Sequence, residues 1–165
     1  AKQLDNLKMV ENIRKKFEKN GISAEKIITE GRSKTREEML KKYNQIDIAL
    51  DPFPYSGVTT SLEANWMGVP LLTKKGNNFY SRIGTGINKN LDMEDWIAKD
   101  EKDYILKAIS KVSDLEKLLQ IKKELRNKFI KSPLSNAKQF AKNFEDCLNL
   151  MWKTYLEKNK NTHSN

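Results

Sequence analysis

The chain has 165 residues, with 31 Lys and Arg against 22 Asp and Glu, one His, one Cys and a formal net charge of +9. That length suits a single domain able to bury a core, and the lone Cys excludes an internal disulfide or a Cys-rich zinc site and fits a reducing, cytoplasmic compartment. The one histidine, His163, stands in the terminal segment NKNTHSN, so the body of the chain supplies no Ser-His-Asp triad, no His metal centre and no His base.

In chain order, Leu4, Leu7, Val10, Ile13 and Phe17 recur at spacings of three and four, which predicts one face of a helix stopped by Asn20-Gly21. The segment from Lys26 to Glu30 (KIITE) reads as a short strand. Thr35-x-x-Glu38 has the form of a capping box opening a helix of about ten residues. Ile46–Leu50 is an apolar strand, and Pro52 and Pro54 then prevent regular structure as far as Gly57. A helical pattern runs from Thr59 to Met67, with Gly68 placed to end it and Val69–Thr73 as the next strand.

After residue 78 the pattern predicts helices only, near 79–89, 101–112, 114–131 and 136–158. Phe140, Phe144, Cys147, Leu148, Met151, Trp152 and Tyr155 form a wide apolar stripe on the last of them. Three strands alternating with helices predict parallel pairing in an α/β layered domain over residues 1–158 with a disordered tail over 159–165. No apolar run approaches the ~20 residues of a membrane span, and no signal segment opens the sequence.

Charge is unevenly spread. Residues 1–45 carry twelve basic and seven acidic groups, residues 46–98 four and six, and residues 99–165 fifteen and nine. A basic balance makes nucleic acid a partner to consider, but lysines alternating with glutamates at helical spacing describe a solvated surface. No RNP signature or Cys/His finger is present, which argues against nucleic acid.

One segment carries chemistry. LDPFPYSGVTTSLE, residues 50–63, runs from the carboxyl end of a strand into a helix, where open α/β sheets bind ligands. The unpaired N–H groups of a helix N-terminus suit a phosphate, Gly57 permits close approach, Thr59 and Thr60 add hydroxyl donors, and Glu63 one turn on can accept from sugar hydroxyls. The same residues also fit a simpler reading, in which Thr59-Thr60 is an N-cap pair and Glu63 a dipole-favoured acid. The segment lacks a P-loop lysine, a G-x-G-x-x-G fingerprint and an Asp-x-Asp metal motif. Trp66, Met67 and Cys147 read as core, Arg82 as a cap, ion pair or ligand contact, and the Trp152 stripe as core or as a face left open.

The stretch DIALDPFPYSGVTTSLEANWMGVPLLTKKGNNFYSRIG resembles the nucleotide-binding core of the O-GlcNAc transferase family, whose relatives include the SPINDLY type. SPLSNAKQFAKNFEDCLNLMWKTYLEKN is similar to that family's C-terminal helix. The likeness runs from about Arg14 to Lys160 and implies a Rossmann-like parallel sheet, the C-terminal half of a truncated GT-B glycosyltransferase, with a helical C-terminal region. It places Gly57, Val58, Thr59 and Thr60 at the donor's diphosphate, Glu63 at the ribose hydroxyls, Arg36 and Lys42 near ribose and base, and Lys34 at the base edge. Met39 stands where many relatives have a histidine against the base and can give a soft apolar contact.

The resemblance further implies an inverting transfer of a sugar, GlcNAc, from a UDP-sugar to a protein side chain, with no metal or other cofactor. Glucose and fucose donors also occur among relatives. The expected partners are the nucleotide-sugar, a protein acceptor, and a first catalytic half and TPR region of the same polypeptide. No residue of this chain is expected to be catalytic, so alone it is expected to be inactive. The alternative is a basic nucleic-acid- or protein-binding module with a transferase-like core and no activity.

Overall fold

In a computed structural model of the chain, residues 2–162 are described, with side chains described over 4–159. The chain divides into two compact units, residues 1–42 and 43–165.

In the first unit, helix α1 spans Leu7–Glu18. Asn6 caps it, its side-chain oxygen accepting from the N–H groups of Lys8 at 3.0 Å and Met9 at 3.4 Å. The chain leaves α1 through Gly21 at φ +79°, where a side chain would be strained. No residue of α1 is fully buried, although Val10 and Ile13 on its apolar face are half-covered.

The expected strand over 26–30 does not form. Residues Ala24–Lys26 make a 3₁₀ turn, Ile27 is extended, and Ile28 is 81% exposed. The β-branched residues give an extended backbone, but no neighbouring strand pairs with it among the described residues, and an unpaired strand is not stable alone. Helix α2, Arg36–Lys41, begins as expected: the Thr35 hydroxyl accepts from the Glu38 N–H at 3.1 Å. The Glu38 carboxylate accepts from the Lys34 N–H at 2.9 Å, one residue earlier than a capping box requires.

The second unit is built on a parallel three-stranded sheet in the order β1-β2-β3. Strand β1 is Ala49–Leu50, β2 is Leu71–Lys74 and β3 is Ile97–Ala98. Ala49 faces Leu71 across the first pair, and Thr73 faces Ile97 across the second. Strand β3 corrects the expectation that strands stop after residue 78. It is two residues long and shows no alternation, so only its partner, β2, defines it.

Helices α3 (Thr59–Trp66), α4 (Ile83–Asn90), α5 (Glu101–Ser113) and α6 (Leu115–Lys131) surround this sheet, with α4 and α5 against β2 and α3 against α6. The core gathers Leu72, Ile87, Leu91, Met93, Trp96, Leu118, Leu125 and Phe129. The buried Asn88 amide donates to the carbonyls of Leu71 at 2.8 Å and Trp96 at 3.3 Å, tying α4 to β2 and to the approach to β3.

Trp66 and Met67 are half-buried rather than central. Trp66 meets Phe129 edge to face at 5.8 Å, and the Arg126 guanidinium lies 4.6 Å from its ring. Helix α7, Ala137–Thr162, runs past the expected end at 158, and residues 163–165 of the expected tail, His163 among them, lie outside the described residues. Its stripe is open: Phe140, Phe144, Met151, Trp152 and Tyr155 are all more than half exposed. Cys147 is therefore exposed and not the buried thiol its apolar neighbours suggest. No helix among the described residues is long and apolar enough to cross a membrane.

Candidate functional site

The site starts where β1 ends. The Asp51 N–H donates to the Leu72 carbonyl at 2.9 Å, continuing the β1–β2 ladder by one residue. Its carboxylate is 2% exposed and fully engaged. Oδ1 accepts from the Gly57 N–H at 2.8 Å, and Oδ2 accepts from the Thr73 hydroxyl at 2.6 Å. A buried carboxylate needs such donors to offset its lost hydration. The result is a loop, residues 52–56, closed on itself by one side chain.

Other contacts hold the same loop. The Ser56 N–H donates to the Tyr80 carbonyl at 3.1 Å, and the Tyr104 hydroxyl donates to the Asp51 carbonyl at 3.1 Å. Burial, with the nearby Asp51 charge adding to it, pushes the Tyr104 hydroxyl up to about 12. Phe53 packs edge to face on Tyr104 with centroids 5.4 Å apart.

Two glycines permit the close approach. A Cβ on Gly57 would lie 2.5 Å from Ser61 Oγ and 2.9 Å from Thr60 Oγ1, so the loop presses directly on the first turn of α3. A Cβ on Gly84 would lie 2.4 Å from both Asp51 Oδ2 and Thr73 Oγ1. Gly57 is thus required by contact, not by a positive φ.

The capping residue of α3 is Val58, at φ −113° and ψ −84°, and no side chain caps the turn. Thr59 and Thr60 are the first two helical residues, both exposed, rather than the caps themselves. The uncapped first turn leaves N–H donors and the positive end of the helix dipole open to an anion. Glu63 lies one turn further on and is half-buried. The Tyr43 hydroxyl donates to the Thr60 carbonyl at 3.2 Å, and its pKa is raised by burial and then by the Glu63 charge.

Gly57, Val58, Thr59, Thr60 and Glu63 are thereby brought together in the second unit. Lys34, Arg36, Met39 and Lys42 are brought together in the first, on α2 and its flanks. There Arg36 and Lys34 are exposed and Met39 half-buried, while the Lys42 ammonium pairs with Glu30 at 2.5 Å and donates to the Gly31 carbonyl at 3.4 Å. Arg82 is exposed at the start of α4 and makes no side-chain cap there. Among the described residues, no three His, Cys, Asp or Glu side chains gather as metal ligands.

Reading the sequence misses Asp51, Thr73, Gly84 and Tyr104 as parts of the site. One signal for Asp51 is available: an acid directly after an apolar strand and directly before a Pro-rich loop sits at a strand's carboxyl end, where polar groups face the ligand side.

The glycosyl transferase family 41 model matches residues 7–144. Among curated proteins, the tomato "probable UDP-N-acetylglucosamine–peptide N-acetylglucosaminyltransferase SPINDLY" is 35% identical over 118 residues, covering 72% of this chain and 13% of the relative. The Caenorhabditis elegans UDP-N-acetylglucosamine–peptide N-acetylglucosaminyltransferase is 27% identical over 145 residues, covering 88% of this chain and 12% of that protein. Among solved structures, a Thermobaculum terrenum O-GlcNAc transferase mutant superposes with a TM-score of 0.83 at 30% identity, covering 90% of this chain and 28% of that one. The chain spans about 13% of the length of the SPINDLY relatives it matches. With the family match extending over most of the sequence and a parallel sheet of the corresponding fold beneath it, the chain belongs to glycosyl transferase family 41.

Proposed function

We propose that this chain supplies the donor-binding part of an inverting glycosyltransferase that moves GlcNAc from UDP to a protein side chain in the cytoplasm. The observation that carries this reading is the uncapped first turn of α3 behind a loop pinned by Asp51. The relatives' names, which specify UDP-N-acetylglucosamine and a peptide, support the choice of donor and acceptor.

In the reaction, the acceptor oxygen attacks the sugar's anomeric carbon. The bond from that carbon to the β-phosphate oxygen breaks, and its electron pair stays on the leaving diphosphate. The N–H groups at Val58–Thr60 and the two threonine hydroxyls are fixed in place before charge develops, so they stabilise the leaving group without reorganising. Glu63 accepts from the ribose hydroxyls. No residue of this chain is assigned the base that takes the acceptor proton, so the chain alone does not transfer sugar.

The test is titration of the ¹⁵N-labelled chain with UDP. The amides of Gly57, Val58, Thr59 and Thr60 should shift on binding. Thr60→Val and Glu63→Ala should each weaken binding about tenfold, the effect of losing one hydrogen bond to a charged or sugar group, with unchanged helix content. If UDP moves none of these amides, or both variants bind like the parent, the assignment is wrong.

A further inference from the structure

Beside the loop at residues 52–56 lies a second surface that the donor reading leaves unused. Lys74, Lys75, Lys99, Asp100, Glu101 and Lys102 line a shallow depression of about 470 Å³ at the carboxyl ends of β2 and β3. Three of its six charges are committed internally. Glu101 pairs with Lys74 at 3.1 Å, and Asp100 caps α5 by accepting from the Asp103 N–H at 2.8 Å. Lys75, Lys99 and Lys102 are exposed, and their ammonium groups form no ion pair among the described residues. Three free cations therefore share one depression.

An aromatic ledge continues it toward the phosphate cradle. The Lys74 ammonium sits 3.9 Å from the centre of the Phe53 ring, which joins the depression to the loop. Two residues on, Tyr55 stacks on Tyr80 with centroids 5.7 Å apart, and beside Tyr80 the Phe79 ring is 85% exposed. Apolar rings rimmed by charge mark an interaction surface. Free lysines call for an acidic partner, and the rings call for one with apolar or aromatic side chains.

We propose that this surface docks an acidic, extended stretch of the acceptor polypeptide next to the side chain that is modified. The inference rests on the protein-acceptor reading above. A polypeptide fits better than a nucleic acid for two reasons. Asp100 and Glu101 break the lysines into one compact cluster, not the continuous basic track that an evenly charged phosphate backbone follows. The ring faces are already partly covered, Tyr55 by Tyr80 and Phe53 by Lys74, so flat platforms for bases are few.

The test uses the full chain and fluorescence anisotropy with a labelled peptide, Glu-Asp-Glu-Tyr-Ser-Glu-Asp, against its amide counterpart, Gln-Asn-Gln-Tyr-Ser-Gln-Asn. The acidic peptide should bind about tenfold more tightly at ~50 mM salt and lose that advantage by ~300 mM, as screened charge pairs do. Combined Lys75→Glu, Lys99→Glu and Lys102→Glu should abolish the preference, and milder Lys75→Gln should reduce it, with the melting temperature held. Combined Lys138→Glu, Lys142→Glu and Lys153→Glu on α7 changes net charge equally and should leave the preference intact. Equal binding of the two peptides overturns the proposal, as does an equal loss in the α7 variant. Displacement of the probe by oligothymidylate at lower concentration than by the acidic peptide also overturns it and assigns the surface to nucleic acid. UDP titration of the same samples separates the two readings: peptide preference without UDP shifts removes the donor assignment alone, and UDP shifts without peptide preference remove this inference alone.

Discussion

Both oxygens of Asp51 are occupied, one by a backbone amide six residues away and one by a hydroxyl 22 residues away. The first contact shapes the loop at residues 52–56 and the second fixes the carboxylate to β2, so one buried charge couples the approach to α3 to the sheet. Gly84 completes the arrangement by leaving room for it. Gly84→Ala should therefore displace the Asp51 carboxylate and destabilise the fold by about 2 kcal/mol, the usual cost of inserting a methyl group into a packed region, as urea unfolding would measure. A stability change below a few tenths of a kcal/mol would mean the contact is relieved freely. At this scale the sequence was half legible. Gly57, Thr59 and Thr60 lie in one short segment, and local spacing marks them. Asp51, Thr73, Gly84 and Tyr104 are scattered over more than fifty residues, and only the folded chain brings them together.

Among the elements, helices were legible and strands only in part: β1 and β2 fall on the expected segments 46–50 and 69–73, while the third does not. The helical periodicity of α5 and α6 reads directly, and Thr35 and Gly68 act at the ends where their chemistry places them. Strand count came out at three for a different set of three. Residues 26–30 have β-branched side chains but no partner, whereas Ile97–Ala98 has no pattern but lies against Thr73–Lys74. Pairing, a non-local property, decides both. The same limit explains Cys147: an apolar stripe shows that a helix face avoids water, not what covers it. Because that face of α7 is exposed here, combined Phe144→Ser and Trp152→Ser should change the unfolding free energy by no more than about 0.5 kcal/mol each, as at open positions. A loss near 3 kcal/mol or more per site, typical of buried aromatics, would show that the stripe is covered in solution. Denaturant midpoints of the chain as it stands distinguish the two.

For the molecule as a whole, the surplus of +9 first suggests polyanion binding, yet the loop at residues 52–56 and the open start of α3 lie in the middle segment, with four basic and six acidic groups. The anion cue there is a helix end, not bulk charge. Net charge vanishes near pH 9.5 and turns negative above it, so the alkaline response of one group is read as the difference between a variant and its parent. Tyr104 is the group to follow. Its hydroxyl titrates near 10 when unfolded and at about 12 in the fold, so the folded state holds its proton longer. That contribution is complete below pH 10 and is lost as pH rises from 10 towards 12. Tyr104→Phe should cost about 1 kcal/mol at pH 8 through the lost bond to the Asp51 carbonyl, and its stability should then fall less steeply than the parent's between pH 10 and 11.5. Parallel curves for the two proteins would remove Tyr104 from the alkaline response. The brevity of β1 has a further consequence for how the chain tolerates change. With two paired residues, the strand has little of its own to resist slipping, and a shift by one position would put Leu50 where Asp51 belongs. Thr73 and the Gly57 amide would then meet an aliphatic group and lose their acceptor. The loop at residues 52–56 thus acts as the proofreading device of the sheet it grows from, and a residue inserted or deleted between Ile46 and Asp51 would be rejected at the level of folding before any ligand could test it.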